Sequence, residues 1–330
     1  MRKILKLVWL KSLQPLGIFS QFIGLSRLSF KSSLEVSPFP LILRKLLDAS
    51  APVNPLAKSG LAPEIEICIP CTEKDLILLR EVIGSAIITS ENRVGSIRVV
   101  VPHLQVEIFE QHLGNQFRHH NLVVISEADL LGELIHLCIS VAPHTRRGWL
   151  IQQIVKFMCV LTSEYKGVLI LDSDTVLTSC RTWLRGDQTQ ILMISEEYHA
   201  PYQQHFLKFQ ESSKKLKAPY RNPHVSFVTH HQLMQPTFLR EMFGGYINWK
   251  HGLESWIIAV KFEGESPACE YHCYGTYMVT NNPRKIRFAR WGNIAIARSD
   301  ARISNGSLDS VTLRTNFPSH LSVSMHAYLS

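Results

Sequence analysis

Gly167-Val168-Leu169-Ile170-Leu171-Asp172-Ser173-Asp174-Thr175 is the stretch on which the fold turns. Five residues without a charge end abruptly in two carboxylates one residue apart. A short apolar run of this kind reads as a strand buried on both faces, as in the middle of a parallel sheet. The residues before it support that reading. Glu64 to Pro70 (EIEICIP), Ser96 to Val101 (SIRVVV) and Leu122 to Ile125 (LVVI) carry strand signals, and between them Leu76 to Ser90 and Val106 to Leu113 repeat apolar residues at helical spacing. Trp149 to Leu161 reads as a helix leading into the fourth strand. Strands alternating with helices predict an α/β domain with a mostly parallel central sheet. In such sheets ligands bind beyond the carboxyl ends of the strands, so function is sought after Pro70 and after Leu171.

The carboxylates after Leu171 suit one divalent cation, because hard cations take oxygen ligands and keep the remaining positions for water or substrate phosphates. A solvated turn is the bland alternative, since Asp and Ser also form turns. The string LILDSDTVLT also matches the first motif of haloacid-dehalogenase-like phosphatases, with Asp172 as nucleophile and Asp174 as acid/base. That chemistry needs later acidic pairs for its metal, and the aspartates that follow (Asp187, Asp300 and Asp309) are not paired with another acid. The phosphatase reading stays as an alternative.

The chain has 330 residues, 45% of them hydrophobic and 19% charged, which is ordinary globular composition. Its net charge of +8 sits at the front: residues 1–60 hold nine basic side chains against two acidic ones, and residues 61–330 hold 26 against 25. A balanced body has no basic stripe for nucleic acid, so no nucleic-acid partner is expected. Seven dispersed cysteines read as reduced thiols of a cytoplasmic protein. Cys68 and Cys71 have C-x-x-C spacing, yet no second pair accompanies them as a zinc site would require.

Residues 1–47 form a basic, amphipathic segment containing Trp9, Phe19 and Phe22. The 15 residues between Lys11 and Arg27 are too few to span a bilayer. Peripheral contact with an anionic membrane, packing on the chain's own domain, and an export signal are the three readings of that segment. Residues 48–63, with three prolines and a glycine, read as a linker into a domain at 64–330.

Five further stretches join the D-S-D to a wider pattern. Ile69-Pro70 closes the first strand, and Gly148-Trp149-Leu150-Ile151-Gln152-Gln153-Ile154-Val155-Lys156 opens a helix. Ser226-Phe227-Val228-Thr229-His230-His231, Glu270-Tyr271 with Tyr274-Gly275, and Ser322-Val323-Ser324-Met325-His326 follow in order. In these motifs the sequence resembles an uncharacterised bacterial family of GT-A-fold glycosyltransferases, over about residues 64–326. The resemblance implies a GT-A-like single domain and transfer of a sugar from a nucleotide-sugar donor to a glycan or lipid-linked acceptor, as in surface polysaccharide or glycoconjugate synthesis at the cytoplasmic membrane face. It implies Asp172, Asp174 and His326 as ligands of Mn²⁺ or Mg²⁺, and Pro70, Thr72, Gln153, Lys156 and Asp172 as donor contacts. Gln153 and Lys156, three residues apart, share one helix face; a solvated lysine is the alternative for Lys156, and a structural histidine for His326. His230 and His231, after a strand-like 225–229, are placed on the acceptor side. An inverting transfer needs a carboxylate base; Glu270 is the first candidate and Glu254 the second, the latter between Trp249 and Trp256, which either stack on sugars or pack in the core. A domain that binds a nucleotide or glycan without turnover is the non-enzymatic reading.

Overall fold

The computed structural model describes residues 46, 48–56, 62–114, 116–195, 197, 199–212, 226–262, 267–298 and 310–326. Apart from Leu46, the basic segment 1–47 lies outside the described residues. Among those described, no helix is long and apolar enough to cross a membrane.

The chain begins with three parallel strands linked by helices: β1 (Ile65–Pro70), α1 (Leu76–Thr89), β2 (Val94–Val101), α2 (Val106–Leu113) and β3 (Leu122–Ser126). It then crosses back through α3 (Glu127–Leu131), α4 (Leu134–Val141) and α5 (Arg147–Leu161) to β4 (Val168–Leu171). β4 pairs parallel with β1, so the order β3-β2-β1-β4 reverses direction between β1 and β4. A crevice opens at such a reversal, beyond the carboxyl ends of the two strands. β7 (His231–Met234) closes the far side of β4 in antiparallel register, pairing Leu171 with His231.

The expected strands and helices stand within one or two residues of their predicted ends. The strand-like stretch 225–229 is the exception: Ser226 makes only an isolated bridge to Ser195, and the strand proper starts at His231. Polar His231 and Gln232 mask that strand in the sequence, though both are fully buried.

Alternation along the sheet feeds two cores. Cys68, Val168 and Ile170 face a core shared with α5 and the later helices α6 (Ala200–Ser212), α7 (Pro236–Met242), α8 (Trp249–Ile258) and α9 (Glu270–Asn281). Ile67, Ile69, Leu169 and Leu171 face α1 and α2 on the other side. Trp256 is fully buried in the first core and Trp249 packs half-buried against it, so both are packing residues rather than open sugar platforms. Two smaller sheets complete the fold. β6 (Gln190–Ile194) pairs with β8 (Ile286–Arg290), and β10 (Ser322–His326) lies between β5 (Thr175–Leu177) and β9 (Asn293–Ala297).

Residues 48–56 are not the free linker expected from their prolines. Asp48 Oδ1 accepts from the Trp291 amide at 2.8 Å, Asn54 Oδ1 accepts from the Thr182 amide at 3.1 Å, and Leu56 is buried in the second core. The prolines set local turns while Ala51 and Leu56 supply the burial.

Candidate active site

β4 delivers Asp172 to the crevice because an apolar strand must end where the chain leaves the core. The chain turns there: the Asp172 carbonyl accepts from the Thr175 amide, and the Asp172 amide donates to the His230 carbonyl at 2.8 Å. His230 reaches that position with φ of +54°, a left-handed conformation uncommon for a side-chain-bearing residue.

A buried charged group surrounds Asp172. Lys156 Nζ lies 2.7 Å from Asp172 Oδ1 and 2.6 Å from Glu270 Oε1, with its side chain only 4% exposed. The Tyr271 hydroxyl donates to Asp172 Oδ1 at 3.0 Å, and Lys156 Nζ lies 4.4 Å from the centre of the Tyr271 ring. Gln153, one turn before Lys156 on α5, accepts from the Glu270 amide, so the two residues meet the start of α9 from one face. On the other oxygen, His230 Nδ1 stands 3.2 Å from Asp172 Oδ2.

The electrostatics follow from burial and mutual pairing. Burial alone would discharge Lys156, but the charges of Asp172 and Glu270 raise its pKa, so it stays an ammonium. Burial would raise Asp172, yet Lys156 and then His230 hold it well below the usual carboxylate range. Burial lifts Glu270 above the ordinary value despite Lys156. His230 is pulled down by burial and lifted by Asp172 and Glu197 to about 10, so it carries a positive charge at neutral pH.

Asp174 and His326 form a second group beside the first. His326 ends β10, whose Met325 amide donates to the Asp174 carbonyl at 2.8 Å. That ladder sets His326 Nδ1 2.9 Å from Asp174 Oδ2. The His230 and His326 rings, 5.2 Å apart, connect the two groups. Donor atoms about 2.1 Å from an ion, on adjacent corners of an octahedron, lie about 3.0 Å from each other. In this structure the two atoms hold each other by a hydrogen bond at 2.9 Å; their separation matches that of two adjacent ligands, and a divalent cation would take the place of the shared proton. Asp172 fits less directly because both its oxygens are engaged, and among the described residues no cluster of three or more ligating side chains is arranged to hold a metal. Engagement of both oxygens also weakens the phosphatase alternative, in which Asp172 would have to be free to attack.

The remaining expected residues divide. Pro70 is the buried last residue of β1, and Thr72 follows it with an Oγ1 that is buried without a hydrogen-bond partner, so both stand at the reversal point. Glu254 does not join the site; it sits on α8 and pairs with His251 of its own helix at 3.5 Å. Glu270 does join it, but at 1% exposure its carboxylate is turned to Lys156 rather than to an incoming hydroxyl. His230, expected on the acceptor side, is bound to Asp172, and His231 is fully buried in β7. All seven cysteines are free thiols, with Cys68 and Cys71 buried.

Two features escaped the sequence reading. Tyr271 adjoins Glu270 in a motif already noted, and its place on the first turn of α9 was the available signal. Asp75 is held between the Ser173 hydroxyl at 2.7 Å and Arg298 Nη2 at 2.6 Å, tying the D-S-D turn to the chain after β1; nothing in the local sequence announces that link. A cavity of about 310 Å³ lined by Asn92, Arg93, Gly95, His120 and Asn121 lies at the opposite end of β2 and takes no part in the site.

The architecture is that of GT-A glycosyltransferases. The mannosyltransferase Ktr4p from S. cerevisiae superposes with a TM-score of 0.50 at 12% identity, covering 82% of this chain and 83% of that one. Mouse xyloside xylosyltransferase 1 (TM-score 0.44, 11% identity, 81% and 99% coverage) and an active-site mutant of LgtC (0.45, 13%, 80% and 91%) are also similar. The chain itself belongs to a family of unknown function, DUF6492, whose profile matches residues 78–295. No curated protein matches its sequence significantly.

Proposed function

We propose that the protein is a metal-dependent glycosyltransferase that takes a sugar from a nucleotide-sugar donor and passes it to a glycan or lipid-linked acceptor, in surface polysaccharide or glycoconjugate synthesis. One observation carries the reading: at the carboxyl end of the strand beside the reversal point, Asp174 Oδ2 and His326 Nδ1 stand 2.9 Å apart, next to a carboxylate held in place by a buried lysine. Asp174 and His326 would hold Mn²⁺ or Mg²⁺, a donor pair of carboxylate oxygen and imidazole nitrogen that suits either, Mn²⁺ better. When bound, the cation neutralises charge developing on a departing diphosphate.

The chain's own residues do the rest. Lys156 and Glu270 fix the Asp172 carboxylate, so Glu270 acts as a positioning residue. Tyr271 orients the same oxygen, and the His230 cation adds positive charge beside the place of the diphosphate. The buried Thr72 hydroxyl, which lacks a hydrogen-bond partner two residues after β1, supports a role for Thr72 in holding the nucleotide. A cytoplasmic protein peripheral to the membrane, engaged through its basic N-terminal segment, agrees with a lipid-linked acceptor.

Calorimetric titration with UDP and other nucleoside diphosphates, with and without Mn²⁺, tests the proposal. Binding that needs the metal and disappears in Asp174→Asn is the expected result. Absence of binding to any nucleotide in either condition would end the glycosyltransferase reading and call for assays of phosphate-ester hydrolysis.

A further inference from the structure

The group around Asp172 contains a carboxylate that no motif pointed to. Glu197 follows β6 by three residues and meets the site through His230: its Oε1 lies 3.7 Å from His230 Nε2, while His230 Nδ1 holds Asp172. At 3.7 Å the contact is an ion pair without a hydrogen bond, and His230 Nε2, although buried, has no hydrogen-bond partner. Among the described residues, Glu197 is thus tethered by charge and its carboxylate makes no hydrogen bond.

Accessibility separates it from its neighbours. Glu270 is 1% exposed and pinned to Lys156; Asp172 is 19% exposed with both oxygens engaged; Asp174 is 20% exposed and faces His326; Glu197 is 47% exposed. Of the carboxylates joined to this group, Glu197 is the one an incoming molecule can reach without displacing a buried partner. Two aromatic residues follow it closely in the chain. His199 and Tyr202 pack ring against ring at 4.7 Å, both part-exposed, and Tyr202 lies 6.4 Å from the His272 ring of α9. A part-exposed, edge-to-face aromatic pair two and five residues after a carboxylate suits a sugar, which offers an apolar ring face and a rim of hydroxyls.

Resting on the glycosyltransferase reading, we infer that Glu197 is the base that activates the acceptor, a sugar hydroxyl approaching over His199 and Tyr202. In that step a Glu197 oxygen takes the hydroxyl proton as the hydroxyl oxygen bonds to the anomeric carbon of the donor sugar. The bond from that carbon to the diphosphate breaks, and its electron pair leaves on the nucleoside diphosphate. Charge balances: the carboxylate becomes neutral as the diphosphate gains the negative charge. His230 stands between Asp172 and Glu197, 3.2 Å from the first and 3.7 Å from the second.

The test uses the full chain and a panel of nucleotide sugars, with water and simple methyl glycosides as acceptors, reading nucleoside diphosphate release. General-base loss costs on the order of 10²–10⁴ in rate. Glu197→Gln is expected to lower release at least about 100-fold while UDP affinity by calorimetry stays within about twofold, because removing a base leaves ground-state binding intact. Formate added to Glu197→Ala is expected to restore part of the rate, which a merely structural role would not allow. Wild-type rates in Glu197→Gln, or no formate rescue, would overturn the assignment of Glu197 while leaving the nucleotide site standing. Wild-type protein that binds UDP yet releases nothing from any donor would overturn it too, since an open base beside the donor would activate water as the smallest acceptor. Wild-type protein that binds no nucleotide would bring down the glycosyltransferase reading, and this inference with it.

Discussion

Replacing Lys156 by methionine would strand two carboxylates, Asp172 and Glu270, in a buried setting with no ammonium between them. Removing one partner of a buried ion pair costs about 3–5 kcal/mol because the remaining charge is left uncompensated. Lys156→Met is therefore expected to lower stability by about that much in denaturant or thermal unfolding. Glu270→Gln should cost less, since Lys156 keeps Asp172. A loss below about 1 kcal/mol for Lys156→Met would match a solvated lysine and contradict the buried arrangement. At this scale the sequence announced positions better than partnerships. Asp172 and Asp174 were legible because an apolar run had to end at them. That Lys156 would bind Asp172 and Glu270 was not, since Glu270 comes 114 residues after Lys156 and only the folded sheet brings them together.

Among the elements, α6 is held by two buried imidazoles. His205 of α6 meets the Trp256 carbonyl of α8 at 3.1 Å, and Gln203 of α6 meets His272 of α9 at 2.9 Å. Burial lowers both histidines to about 4, against an ordinary value of 6.5. Between those values the unfolded chain binds protons that the fold refuses, so the contribution is fully present above pH 6.5 and is lost as pH falls towards 4. The loss amounts to about 3 kcal/mol per histidine. Thermal unfolding followed from pH 7 down to 4.5 should show it, and His272→Asn should flatten the dependence; an unchanged slope in that variant would mean that another group sets it. Helices and strands with regular apolar spacing, such as α1, β1 and β4, could be read directly. β7 could not, because its buried His231 and Gln232 are polar and break the apolar run that would mark a buried strand.

For the molecule as a whole, the domain starts earlier than its prolines suggested. Leu56 is 2% exposed in the core that β1 and β4 share with α1. Leu56→Ala should destabilise the protein by about 2–5 kcal/mol, the usual cost of a core truncation. An unchanged unfolding midpoint would restore the linker reading of residues 48–63. The general architecture was visible in the alternation of strands and helices, but attachment of residues 48–56 was not, since it depends on single contacts such as Asp48 with the Trp291 amide, made across the entire domain.

The late arrival of β10 has a consequence in time. Asp174 and His326 are separated by 152 positions, and β10 must slide between β5 and β9 before their side chains meet. Contacts so distant along the chain are closed slowly and late. On the ribosome, the sheet carrying Asp172 can assemble while β10 is still in the exit tunnel, so in a nascent chain Asp174 waits without its histidine. The 2.9 Å contact between Asp174 and His326 therefore reports that the small sheet has closed, whatever the state of the strands that carry Asp172.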